Sequence, residues 1–123
     1  MLRTLTFMLL ALALISTAAP AQTGDVVMIA GEGNNTCAKW AQYRLANSGL
    51  TDLVVMWAQG FVTGQNYFAT EKQYKVIPAE AEDIKLWLDT FCRMNPLGYI
   101  VQGSLAFIEI KGGPKTKFEW KRP

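Results

Sequence analysis

Apolar residues recur at helical spacing through most of this chain, and the pattern predicts four helices. The first is predicted from Thr36 to Ser48, with Gly49 as its C-terminal stop. Its buried face is expected to contain Cys37, Trp40, Ala41 and Leu45. Asn34, Asn35 and Thr36 formally match a glycosylation sequon, but we favour a role as helix N-caps, which need such short polar side chains.

The second predicted helix begins at a capping Thr51 and extends to about Thr70. One apolar stripe, within roughly 80° around this helix, contains Leu53, Trp57, Gly60, Phe61, Gly64 and Phe68. Glycine costs about 1 kcal/mol relative to alanine in a helix interior, so two glycines on a buried face indicate that another backbone packs closely there. The helix-packing motif that we infer comprises Trp57, Gly60, Phe61 and Gly64.

The third helix is predicted to begin at Pro78, which suits a first helical turn, and to end at Asn95. Its buried face is expected to contain Ile84, Leu88, Phe91 and Cys92, with Trp87 at the edge. A fourth helix is predicted from Leu97 to about Ile110, and its expected buried residues are Leu97, Val101, Leu105 and Ile108. Residues 106–110 are rich in apolar and branched side chains, so a strand is the alternative there.

The first 21 residues have the features of a cleavable export signal. Arg3 supplies the positive end, Leu5–Ile15 is an apolar run, and Ala19–Ala21 offers the small-residue site that signal peptidase reads. Because a membrane-spanning helix needs about 20 apolar residues, a retained anchor is the weaker interpretation. We therefore expect cleavage before Gln22 and a periplasmic location. Residues 22–35 are glycine-rich and weakly patterned, and they are predicted to form a mobile arm.

Cys37 and Cys92 are the only cysteines in the sequence. In an oxidising compartment two cysteines are more often bonded than free, and this bridge would close a loop of about 55 residues, which stabilises the fold by roughly 4 kcal/mol. The chain has no histidine and no CxxC spacing, which disfavours a metal-binding or reactive thiol. The fold expected is thus all-α, a single four-helix domain over residues 36–110 with one disulfide.

Charge is distributed unevenly along the chain. Residues 111–123 contain five basic residues and one acidic residue, whereas residues 22–110 have a net charge of −3. We interpret the end as a basic flexible tail, whose candidate contact residues are Lys115, Lys117, Trp120, Lys121 and Arg122. Interleaved aromatic and basic residues suit a membrane surface or an acidic protein surface, and a solvated tail is the favoured alternative. No nucleic-acid partner is expected.

Side chains that commonly carry catalysis are scarce. Histidine is absent, and after residue 21 the only serines are Ser48 and Ser104. The acidic cluster at one predicted helix start, which favours the positive end of the helix dipole, contains Glu80, Glu82 and Asp83. Three tryptophans are expected in the core rather than in a ligand site: Trp40, Trp57 and Trp87. We expect a protein without catalytic activity, cofactor or metal.

Two spaced segments, together with the early cysteine, resemble the HdeA/HdeB-like periplasmic proteins. They are WAQGFVTG at residues 57–64 and WLDTFCRMNP at residues 87–96, and the resemblance covers about residues 36–110. It implies a small helical bundle held by one disulfide, carried here onto Cys37 and Cys92. The classical chaperones of the family are more charge-rich, so the resemblance bears on the fold more than on the activity.

Well-studied members of that family are acid-stress chaperones that are dimeric at neutral pH and expose apolar surface in acid. The resemblance therefore implies a non-catalytic protein that forms homodimers and binds unfolding periplasmic clients. The alternative is an immunity-type protein that inhibits an exported type VI amidase or another hydrolase, since those proteins share the small, disulfide-bonded helical style. A third hypothesis is an envelope adhesin that acts through its basic tail.

Overall fold

The computed structural model describes residues 28–69 and 74–123, and this part of the chain is helical. A 3₁₀ helix, Gly31–Asn34, precedes four α-helices: α1 (Cys37–Leu45), α2 (Leu50–Ala69), α3 (Ala81–Met94) and α4 (Ile100–Ile110). The predicted all-α, four-helix architecture is confirmed. The alternative of a strand over residues 106–110 is wrong, because these residues form the end of α4. The predicted export signal lies outside the described residues.

Helix α1 begins directly after Thr36, one of the predicted capping residues, but fewer of its residues are buried than the apolar spacing predicts. The Thr36 hydroxyl accepts a hydrogen bond from the Lys39 backbone N–H at 3.1 Å, as in an ordinary N-cap. Cys37 and Trp40 are buried, whereas Ala41 is exposed and the side chain of Leu45 is 89% exposed. The expected burial of Ala41 and Leu45 is therefore wrong. The inner face of α1 is rotated toward Arg44, which pairs with α3.

The turn between α1 and α2 also differs from the prediction. Asn47, with φ of 45°, adopts the left-handed conformation, whereas the predicted stop, Gly49, does not. Thr51 lies inside α2 and is buried rather than capping the helix from outside. Ser48, two residues before the helix, satisfies the first N–H of α2, because its hydroxyl accepts a hydrogen bond from the Leu50 backbone N–H at 3.1 Å.

The connection before α3 is fastened to α2 by two amide side chains. Asn66 forms a reciprocal pair with the Ile77 backbone, accepting from its N–H at 2.8 Å and donating to its carbonyl at 2.7 Å. Gln59 donates to the Ala79 carbonyl at 2.8 Å. These bonds hold Ile77 in the core as an extended residue, so α3 begins at Ala81, three residues after Pro78.

The inner face of α3 agrees with the prediction in every residue. All of the predicted residues and the edge tryptophan are buried: Ile84, Trp87, Leu88, Phe91 and Cys92. Helix α4 begins at Ile100 rather than Leu97, because an antiparallel bridge between Thr36 and Tyr99 keeps the chain extended before it. Leu97 is consequently 94% exposed instead of buried.

The buried face of α4 is also rotated from the predicted one. Ile108 is buried as expected, whereas Val101 and Leu105 are only partly buried. The buried residues of α4 are Ile100, Gly103, Ser104, Ala106, Phe107 and Ile108. The Ser104 hydroxyl donates to the Ile100 carbonyl at 2.9 Å, so its polar group is satisfied inside the core.

Candidate protein-interaction surface

The predicted disulfide is present and ties α1 to α3. The sulfurs of Cys37 and Cys92 are 2.08 Å apart, and the two Cα atoms are 5.0 Å apart. Both cysteines belong to the buried core cluster. The sequence prediction of this pair is confirmed, including the placement of Cys37 on the inner face of the first helix and Cys92 near the end of the third.

A polar cluster beside the disulfide gives the same pair of helices a second link. The Asp89 carboxylate of α3 accepts from the Trp40 indole N–H at 2.9 Å and from Arg44 at 3.0 and 2.7 Å. The hydrogen bond to Asp89 raises the pKa of the Arg44 guanidinium. The sequence pattern singled out neither Arg44 nor Asp89 as a member of a polar cluster. The Asp89–Arg44 spacing of 45 residues gave no local signal.

The groove between α1 and α3 lies directly outside this cluster. It has a volume of about 450 Å³, and its lining is mostly apolar, including Ala38, Ala41 and Pro96. Among the described residues, the hydrogen bonds to the Asp89 carboxylate come from Trp40 and Arg44. The groove therefore offers apolar contact rather than a converging set of reactive groups.

The predicted helix-packing motif on α2 occupies a different environment from the one expected. The buried residues of α2 are Thr51, Val54, Val55, Ala58, Val62 and Ala69. Gly60 and Gly64 are exposed instead, and no described residue lies within 4 Å of the position that a Cβ would take at either glycine. Among residues 28–69 and 74–123, the prediction that another backbone packs on these glycines is therefore wrong. The reason is that α2 carries apolar residues on both of its sides, so the spacing of these residues does not identify which side is buried.

Trp57 and Phe61 lie at the edge between the two sides of α2. Their rings stack at a centroid distance of 5.2 Å with 19° between the planes. The Trp57 indole N–H donates to the Ala30 carbonyl at 2.9 Å, and its ring covers Gly33, where a Cβ would come within 2.1 Å of ring atoms. Glycine is thus required by a close approach at Gly33, in the segment predicted to be a mobile arm. The described part of that arm, residues 28–35, instead holds a 3₁₀ helix on α2.

The remaining side of α2 forms a continuous apolar surface, which we call the outer face. It consists of Leu53, Met56, Gly60, Gly64 and Phe68, which recur at helical spacing. The exposed fractions of its three large side chains are 48% for Leu53, 64% for Met56 and 58% for Phe68. Asp52 is the one charged residue in the whole of α2. An exposed helix face normally carries charged residues, so this surface is suited to contact with another apolar surface.

The basic C-terminal segment, residues 111–123, contacts the helical body at several points. The Trp120 ring packs edge-on against Trp87 at a centroid distance of 5.7 Å and lies 6.1 Å from the ring of Phe91. The Lys121 backbone N–H donates to the Asn95 side chain at 2.7 Å. These contacts differ from the flexible, solvated tail expected from composition. The remaining predicted tail contacts, Lys115 and Lys117, are exposed.

The described residues contain no group of three or more potential ligands that could hold a metal ion. Within the same residues, no helix combines the length and the apolar character that a membrane span requires. Comparison with protein-family models, with curated proteins and with solved structures gave no match for this chain.

Proposed function

We propose that this chain is a small exported, non-catalytic protein that binds other proteins, and that it acts as a periplasmic acid-stress chaperone of the HdeA/HdeB type. The observation that carries the proposal is the outer face of α2, an exposed apolar surface on a helix with a single charged residue. Unfolding proteins expose apolar segments, and such segments are the partners that an uncharged apolar helix face can bind without desolvating charges.

The expected strength of this contact suits reversible binding. Full burial of a Leu, Met or Phe side chain is worth about 1.5–3 kcal/mol, and roughly half of each side chain on the outer face is available for burial. The three large residues therefore contribute about 3–5 kcal/mol in total. A contact of this size holds a client weakly, which favours release after the stress ends.

The charge distribution supports a response to acid. At neutral pH residues 22–110 carry nine acidic and six basic residues, and protonation of every carboxylate changes their net charge from −3 to +6. With every carboxylate protonated, residues 22–123 as a whole carry a charge of +11. Self-repulsion then favours loosening of the bundle, while the disulfide between α1 and α3 limits how far it opens. Because the chain has no histidine, this response requires a pH below about 5, where Asp and Glu titrate.

The test measures whether the purified chain that begins at Gln22 suppresses the aggregation of a client protein. Malate dehydrogenase is the client in every assay. We expect suppression at about pH 3 and little at neutral pH. Met56→Lys on the outer face should raise the concentration needed for half-maximal suppression about tenfold, because contact then desolvates a charge at a cost of about 1–3 kcal/mol. Leu45→Lys, at an apolar residue of α1 that is more exposed than Met56 and lies away from this face, is the control and should behave like the parent chain.

Absence of suppression by the parent chain at acidic pH would overturn the chaperone proposal. If Met56→Lys and Leu45→Lys reduced the suppression of aggregation equally, the outer face would not be the client-binding surface. A stable one-to-one complex with an exported hydrolase at neutral pH, without acid dependence, would instead favour the immunity-type function.

A further inference from the structure

The end of the chain occupies a defined site on α3 and α4. We call residues 115–123 the strap, and the surface beneath it, formed by Trp87, Phe91, Asn95 and Glu109, the strap site. Trp120 of the strap packs against the two aromatic rings of this site, and its environment is partly buried. Aromatic pairs of this geometry add about 0.5–1.5 kcal/mol beyond the area that they bury.

Asn95 binds the backbone of the strap rather than a side chain. Its side-chain oxygen accepts from the Lys121 N–H at 2.7 Å, and its amide nitrogen donates to the Lys121 carbonyl at 3.0 Å. This reciprocal pair resembles the pairing of one residue with a neighbouring strand, and any non-proline residue offers the same two groups. The contact therefore recognises an extended backbone independently of its sequence.

Glu109 supplies the specific part of the site. Its side chain is 8% exposed and forms an ion pair with Arg122, and it also accepts from the Thr116 backbone N–H at 2.9 Å. The Arg122 guanidinium in turn lies 4.5 Å from the centre of the Trp120 ring. The site thus combines an aromatic surface that contacts Trp120 with a carboxylate that pairs with the basic residue two positions after it, Arg122.

The strap is attached through a glycine-rich joint, and it leaves part of the site open. The joint contains Gly112, whose φ of 100° is in the region that favours glycine, followed by Gly113 and Pro114. The strap itself contains no helix or strand. A groove of about 360 Å³ continues beside Trp120, and its lining includes Met94 and Leu97. The site can therefore accommodate more peptide than the strap supplies.

We propose that the strap site is a peptide-binding site, which the strap occupies in cis and which accepts in trans an extended peptide with an aromatic residue followed two positions later by Arg or Lys. The site lies on α3 and α4, whereas the outer face lies on α2. The proposal therefore goes beyond the proposed function and does not depend on it.

Competition between the strap and an outside peptide gives the proposal a measurable signature. A segment tethered through a short joint acts at a local concentration on the order of 1 mM, so the parent chain should bind an added peptide weakly. Replacing Trp120 by alanine removes the aromatic anchor of the strap while leaving every residue of the strap site in place. The vacated site should then bind the added peptide at least about tenfold more tightly.

The experiment measures, by fluorescence anisotropy, the binding of a fluorescein-labelled peptide to the chain that begins at Gln22. The peptide has the sequence of residues 115–123. We expect tighter binding to Trp120→Ala than to the parent chain. A peptide with alanine in place of its tryptophan should bind at least about tenfold more weakly, and Asn95→Ala in the Trp120→Ala background should remove the gain. Far-UV circular dichroism verifies that each variant is folded.

If Trp120→Ala does not fold, Arg122→Ala provides the second variant, since Arg122 is largely exposed and its loss removes the contacts with Glu109 and the Trp120 ring while leaving those with Asn95 in place. Binding no tighter to either folded variant than to the parent chain would overturn the proposal. So would equal binding of the tryptophan and alanine peptides.

Discussion

The outer face of α2 and the strap site on α3 and α4 both present apolar side chains, but of the two only the strap site is covered by other residues in the part of the chain that the structure describes. Trp120 packs on Trp87, and Asn95 and Glu109 hold the segment that carries it. On α2, no described residue lies within 4 Å of the position that a Cβ would take at Gly60 or Gly64. The difference shows that, among residues 28–69 and 74–123, the fold covers one apolar surface through polar contacts and leaves the other exposed.

The largest expected effect comes from removing the disulfide, which ties α1 to α3, one of the two helices that carry the strap site. Replacing Cys37 and Cys92 together by serine should lower the free energy of unfolding by about 2–5 kcal/mol, because the unfolded chain regains the entropy of a long loop. Urea unfolding at neutral pH measures this change. Equal stabilities for the parent chain and the double variant would mean that packing alone holds α1 against α3.

Replacing Gly33 or Gly60 by alanine compares two environments with the same substitution. Gly33 packs beneath the Trp57 ring of α2, whereas Gly60 lies on the outer face of that helix. Gly33→Ala should lower the free energy of unfolding by about 1–3 kcal/mol, because the new methyl group overlaps the Trp57 ring and the 3₁₀ helix must move away. Urea unfolding with far-UV circular dichroism measures the change. An unchanged stability would show that Trp57 does not hold this segment.

Gly60→Ala is the matched substitution on the open side, and its effect should have the opposite sign. No described residue lies within 4 Å of the new methyl group, so alanine should raise the free energy of unfolding by about 0.5–1 kcal/mol through its better helix propensity. Gly64→Ala should do the same. Destabilisation by either variant at micromolar concentration, but not at high dilution, would show that another copy covers this face.

The smallest effect on overall stability should come from Glu109, whose role depends on pH. The ion pair with Arg122, followed by hydrogen bonds from Thr116 and Trp120, lowers the pKa of Glu109 from 4.5 to about 2. Because the folded-state pKa is depressed, this contribution is present above about pH 4.5 and is lost as the pH falls through about 2.

Glu109→Gln should therefore be less stable than the parent chain at neutral pH, and the difference should shrink between pH 4.5 and 2. Thermal unfolding over this pH range measures it. A difference that persists below pH 2 would show that the carboxylate charge does not hold the strap.

The buried face of α3 and the disulfide could be predicted from residue type and local spacing. Helix α3 carries charged residues on one side only, among them Glu82, Asp83 and Arg93, so its apolar side had to face inward. The cysteine pair was predictable because the sequence pattern of an export signal, together with two cysteines and no histidine, favours a disulfide. These inferences depend on residue type and spacing, which the sequence contains in full.

Other features required contacts between distant residues. The strap depends on Asn95 and Lys121, which lie 26 residues apart, and the polar cluster on Trp40 and Asp89, which lie 49 residues apart. No local spacing marks either pair. Composition alone therefore indicated a solvated tail where the structure has a bound one.

The sequence by itself determined the helical class, the number of helices, the disulfide and the inner face of α3. Only the tertiary structure decided which side of α2 is buried and that the basic segment covers α3 and α4. The physical reason is that the period of an amphipathic helix identifies its inner side only when its other side is polar. On α2 both sides are apolar, so the choice was made by the fit of small and branched residues such as Val54, Ala58 and Val62 against the neighbouring helices.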